Sequence, residues 1–135
     1  MSINAPKAIV AGVAGTLLMS AFGVWVAPLL GLPRMNPADM LAESMNGQVA
    51  LGWAAHLLVG TVLALIYAAV AGRLPGAPVL RGALFSLAPW LVAEGMSAMS
   101  PGGLTAEAAI GSLLGHVVYG AAVGGGYASF RRRPA

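Results

Sequence analysis

Cysteine is absent from this sequence, which removes disulfides, thiolate metal sites and cysteine nucleophiles together. Charge is scarce as well: four acidic and seven basic residues make up 8% of the 135 residues, against about 25% in an ordinary soluble domain. No P-loop, dinucleotide fingerprint, His-Glu-x-x-His or Ser/His/Asp arrangement occurs, so catalysis without a bound cofactor is not expected. What fills the chain instead is apolar: 59% of residues are hydrophobic and the mean hydropathy is +0.83. An integral membrane protein with no soluble domain follows.

Four apolar stretches, 8–30, 49–72, 79–99 and 105–130, each approach the roughly 20 residues that a helix needs to cross the hydrocarbon. The first is too long for a signal peptide and lacks a clean small-x-small cleavage site, so it is expected to be retained. Short links, "GRLPGAP" (72–78) and "SPGGL" (100–104), force neighbours to run antiparallel. The expected fold is therefore all-α, one domain over 1–135, with four transmembrane helices in an up-down-up-down bundle. In the link "GLPRMNPADMLAESMNG" (31–47), Asn36 as N-cap, Pro37 at the first helical position and Asp39 in the first turn predict a short surface helix over 37–46.

Orientation follows from the basic residues. Lys7, Arg73, Arg81 and Arg131 to Arg133 fall on one side, whereas the other has only Arg34, with Asp39, Glu43 and Glu107. Both termini are thus expected in the cytoplasm, with the chain multi-pass in a bacterial inner membrane. Arg131 to Arg133 beside a membrane helix read as an anchor to the lipid bilayer rather than a nucleic-acid patch.

"AAHLLVGTVLALIYA" (54–68) is echoed by "LGHVVYGAAVGGGYA" (114–128), each with His, then Gly, then Tyr-Ala at matching offsets. The two segments run in the same direction, and the echo points to a duplicated hairpin, although the first and third segments match poorly. His56, Gly60, Leu63 and Tyr67 share one helical face, as do His116, Gly120, Val123 and Tyr127. Packing alone explains the glycines and the tyrosines, because small residues let membrane helices approach and tyrosine suits the interface.

Depth singles out the ionisable groups. Counting rise from the cytoplasmic charges, His56 lies about 25 Å above Arg73, His116 about 22 Å above Arg131 and Glu94 about 20 Å above Arg81. Met19, about 18 Å above Lys7, shares a face with Gly12, Gly15 and Gly23. Glu94 is the one acid well inside a segment, and such a group is a functional-site hypothesis by default. Pro89 is expected to bend the third segment just below it.

Three readings of His56, Glu94, His116 and Met19 stay open. The first is a transition-metal site, copper with the Met19 thioether or iron or zinc without it, fed by Met35, Met40 and Met45 of the outer loop with Met96 and Met99. In the second, His56 and His116 are axial ligands of a haem b, with Gly60 and Gly120 making room for the porphyrin. The third is a neutral hydrogen-bond network that sets helix register.

The combination of "GLPRMNPADMLAESMNG", "GWAAHLLVGTVLALIYA", "LPG" with "LRGALFSLAPWL", and "GHVVYGAAVGGGYA" resembles a family of small bacterial four-helix membrane proteins of unknown function. The resemblance spans nearly the whole chain and implies a four-helix inner-membrane protein, with no activity attached. Function is thus expected to be metal (copper) or haem b binding. The alternatives are an accessory subunit or assembly factor of a larger membrane complex, packing through its Gly-rich faces and Trp25, Trp53 and Trp90, and proton, ion or small-solute transport as a homo-oligomer.

Overall fold

The computed structural model describes residues 3–129, so Arg131 to Arg133 and the last residue of the fourth expected helix lie outside the described residues. The described chain is helical throughout, with no strand among these residues. Helix α1 spans Ala5–Ala21, α2 Pro37–Glu43, α3 Val49–Val70, α4 Pro78–Ala98 and α5 Ala106–Ser129. With their short extensions, Ala5–Leu30, Val49–Arg73, Pro78–Ala98 and Ala106–Ser129 are long and apolar enough to cross a membrane. The four long helices and the short surface helix agree with the expected elements to within a few residues.

The first span is less regular than expected. Its α-helix ends at Ala21, continues as a π turn over Phe22–Val26 and closes in a 3-10 turn over Ala27–Leu30. Pro28 supplies the reason: it has no N–H and its ring clashes with the carbonyl one turn back. Ala27 N–H bonds to Phe22 O, and the donor that Gly23 O would take next in the π register belongs to Pro28, which has none. Met35 N–H fills that vacancy at 3.0 Å, and a Cβ on Gly23 would strike the Met35 carbonyl. The loop over 31–36 is thereby pinned onto the end of the first span. Pro89, by contrast, sits inside α4, which runs unbroken from Pro78 to Ala98.

Surface helix α2 is capped as expected, with Asn36 Oδ1 accepting from Ala38 N–H and Pro37 in first position. Its buried face, Ala38 and Ala42, lies on Gly52 of α3, where any Cβ would meet the Ala38 carbonyl. Asn46 and Gly47 then reverse the chain in left-handed conformation.

Each long hairpin closes by one device. On α1, Gly12 and Thr16 face Ala64 and Gly60 of α3; on α4, Gly82 and Ser86 face Gly124 and Gly120 of α5. A Cβ at Gly60 would overlap Thr16 Oγ1, and one at Gly120 would overlap the Gly82 carbonyl. Both hydroxyls are satisfied within their own helix, Thr16 to Gly12 O and Ser86 to Ala83 O, each at 2.7 Å. The hairpins then join along α1 and α5, where Gly15 accepts Val123 and Tyr119, Gly115 accepts Met19, and Gly126 accepts Ala11. Helices α3 and α4 meet through side chains: Tyr67 packs edge-on to Phe85 and Tyr127, with ring centroids at 5.5 and 6.3 Å, and donates to Pro78 O.

A methyl group at Gly120 is expected to cost about 1–3 kcal/mol, because its obstacles are backbone and cannot rotate away. Gly95, on the same hairpin, has open space where a Cβ would go. Denaturation in mixed micelles should therefore show Gly120→Ala strongly destabilised and Gly95→Ala unchanged or slightly firmer.

Candidate functional site

Moving outward from the tyrosine end, each turn of the bundle forms a layer, and the layer above Thr16 and Gly60 holds the polar groups. Ser20 of α1 and His56 of α3 are both buried, and Ser20 Oγ lies 3.0 Å from His56 Nε2. Trp53, one turn earlier on α3, leans over the imidazole with ring centroids 6.1 Å apart. One ring nitrogen of His56 is thus engaged by Ser20, and its ring faces Trp53.

His116 on α5 is placed differently. Its Nδ1 lies 2.8 Å from Ser112 O, one turn back on its own helix. A carbonyl only accepts, so Nδ1 carries the hydrogen and the neutral ring leaves Nε2 as a lone pair. The hairpin geometry accounts for the difference between the two histidines. Where α1 brings Ser20 to His56, one turn beyond Thr16, α4 brings Trp90, one turn beyond Ser86. Trp90 Nε1 donates to Ala109 O at 3.3 Å, so this hairpin offers its histidine no hydroxyl.

Glu94 follows Trp90 by one turn, is 8% exposed, and has its Oε2 buried with no hydrogen-bond partner among the described residues. Met19 Cγ and Cε lie 3.6 and 3.7 Å from where a Gly115 Cβ would be, beside His116 in sequence. Glu94 on α4 and His116 on α5 thus belong to one packed helix pair and Met19 meets α5 at Gly115, while His56 pairs with Ser20 of α1.

Among the described residues no group of three His, Asp or Glu side chains is arranged to hold a metal ion. The single centre expected from depth and helical face is not assembled among these residues: His56 pairs with Ser20, His116 with Ser112 O, and Glu94 Oε2 has no partner. The porphyrin role of Gly60 and Gly120 is corrected. Thr16 occupies the first gap, and Gly82 with Ser86 the second. Tyr119 also crosses between α5 and α3, donating to Gly60 O at 2.6 Å over the side of α1 that Gly15 leaves bare. A macrocycle has no slot there, and the residues present do not fit a haem. Among the methionines, Met35 packs its Sδ toward Gly111, whereas Met40, Met96 and Met99 are exposed and Met45 is half-buried, so they form no continuous inward path.

Ser20, Ser112 and Tyr119 were not among the site residues expected from sequence. Ser20 sits beside Met19 at the same height, and Tyr119 lies three residues after His116 on a shared face, so the spacing for both was visible. Only the partner across the interface was not.

Replacing Ser20 by Ala should leave His56 Nε2 buried without a partner, at a cost of about 1–3 kcal/mol. Ser112→Ala should cost much less, because His116 uses the backbone carbonyl and not the hydroxyl. Thermal unfolding of the two variants in detergent separates them.

No curated protein and no solved structure matches this chain. The family described as "Family of unknown function (DUF6789)" matches residues 3–135, nearly the full length. A four-span helical protein with a split polar layer thus belongs to the DUF6789 family, whose function is unknown.

Proposed function

We propose that this protein is a non-enzymatic metal-binding protein of the bacterial inner membrane, both termini cytoplasmic, that holds a copper ion between Glu94 and His116. The reading rests on one observation above others, the buried and unpartnered Oε2 of Glu94. A carboxylate oxygen withdrawn from water without a donor requires a proton or a cation beside it. His116, on the helix packed against α4, would supply an imidazole lone pair at Nε2, and Met19 packs on α5 at Gly115, the residue before His116. One nitrogen, one carboxylate oxygen and one soft sulfur form a donor set suited to copper. The ion would supply the positive charge that the buried carboxylate lacks, and would tie α1, α4 and α5 together at one level.

Orientation is supported by charge, since Lys7, Arg73 and Arg81 cluster at the tyrosine end and Arg34 is alone at the other. The matching Gly-x-x-x-Thr and Gly-x-x-x-Ser contacts of the two hairpins support an ancestral duplication. His56 takes a separate role. Its bond to Ser20 fixes the register of α1 on α3, which is the hydrogen-bond reading confined to one hairpin.

Elemental analysis of gently purified protein tests the proposal. About one copper per chain is expected, retained in His56→Ala and weakened by about tenfold or more in Glu94→Gln and His116→Ala, since loss of an outer partner alone costs that much. Glu94→Gln conserves shape, so its monodispersity separates lost binding from lost folding. Metal-free protein in good yield, or full occupancy in both site variants, overturns the reading and leaves the layer as the register of an accessory subunit.

A further inference from the structure

A groove of about 510 Å³ opens on the flank of α1, away from Glu94 and His116. Its walls are Leu17, Trp25 and Trp53, Ser20 lies in its lining, and Arg34 and Asn36 of the outer loop complete it. The two ends differ in chemistry. Within the span the surface is aliphatic and aromatic, whereas the loop end carries a guanidinium and a carboxamide.

Arg34 is exposed and forms no hydrogen bond or ion pair among the described residues, although the acids Asp39 and Glu43 lie nearby in sequence on α2. It is also the one basic residue at its end of the molecule, where basic residues are disfavoured. Asn36 has committed Oδ1 to the α2 cap, which leaves its amide hydrogens as donors. Trp25, 69% exposed, stands at the height where tryptophan meets headgroups. A largely apolar groove of about 510 Å³ that carries a free guanidinium and a free amide on its loop side is complementary to one kind of molecule already surrounding the protein.

We infer that this groove is a binding site for an anionic phospholipid, with the phosphate at Arg34 and Asn36 and one acyl chain along Leu17, Trp25 and Trp53. Guanidinium and phosphate pair through a fork of N–H donors, and an anionic headgroup adds attraction that a zwitterionic one lacks. The chain covers Ser20 and so keeps water from the Ser20–His56 hydrogen bond behind it.

Tryptophan quenching by lipids brominated in the acyl chain tests the assignment. The protein carries Trp90→Phe throughout, so that only Trp25 and Trp53 report, and is reconstituted in phosphatidylcholine vesicles with brominated phosphatidylglycerol or brominated phosphatidylcholine. Phosphatidylglycerol should associate about fivefold more strongly, the effect of one basic side chain near a lipid surface. Arg34→Ala should abolish the preference, Arg34→Lys should keep most of it, and Arg73→Ala at the opposite end should leave it intact. Equal quenching by the two lipids, a preference that survives Arg34→Ala, or failure of either lipid to quench because protein covers the groove would each overturn the inference.

Discussion

The arrangement depends on backbone meeting backbone. Inside a bilayer the tails are as apolar as leucine, so burying leucine between helices gains little and association falls to close packing and hydrogen bonds. The chain meets this constraint by omitting side chains where helices cross: Gly60 receives Thr16, while Gly82, Gly120 and Gly124 lie against one another and Pro78. Large apolar residues such as Leu58, Leu91 and Val92 face outward instead, which inverts the pattern of a water-soluble bundle. The core accordingly consists mainly of alanine, tyrosine and one valine.

Such close contact dictates how the polar groups are satisfied. Helices this near bring a hydroxyl on one within reach of an acceptor on the next, as with Ser20 and His56, or Tyr119 and Gly60 O. They also leave little room to compensate when a hydroxyl is missing. Trp90 stands where a serine would complete the second hairpin, so His116 turns back to Ser112 O and its outer nitrogen is left over. The difference between two similar motifs thus arises from the preceding helix and not from the motif.

That explains how far the sequence could be read. The number of candidate spans and the Asn36–Pro37 cap depend on local composition and were legible from hydropathy and turn residues. The division between His56 and His116 was not, because it depends on which helix face crosses which, and four faces of small residues offer similar crossings. The π turn was also hidden. Pro28 announced a disturbance, but the widened turn depends on Met35 supplying the hydrogen that Gly23 O lacks, a contact made across a loop.

Two buried side-chain atoms lack a partner among the described residues, Arg81 Nε near the start of α4 and Glu94 Oε2 near its end, and Glu94 is the acid of the two. Thr16, Ser20, Ser86, Tyr67 and Tyr119 each find a partner, and both histidines use at least one nitrogen. A bundle that resolves so many buried polar groups has not merely tolerated an unpartnered carboxylate oxygen through loose packing. Natural sequences break their own local rules mainly where function requires it, and the break here falls beside an imidazole whose free lone pair comes from the same asymmetry. The second hairpin carries Trp90 where the first has Ser20, and an acid one turn later: the first difference leaves His116 without a hydroxyl partner, and the second buries a carboxyl on the helix packed against α5. Under the proposed reading a cation would answer Glu94 Oε2 and His116 Nε2 together, which is why these two carry the functional proposal and Ser20–His56 the structural one.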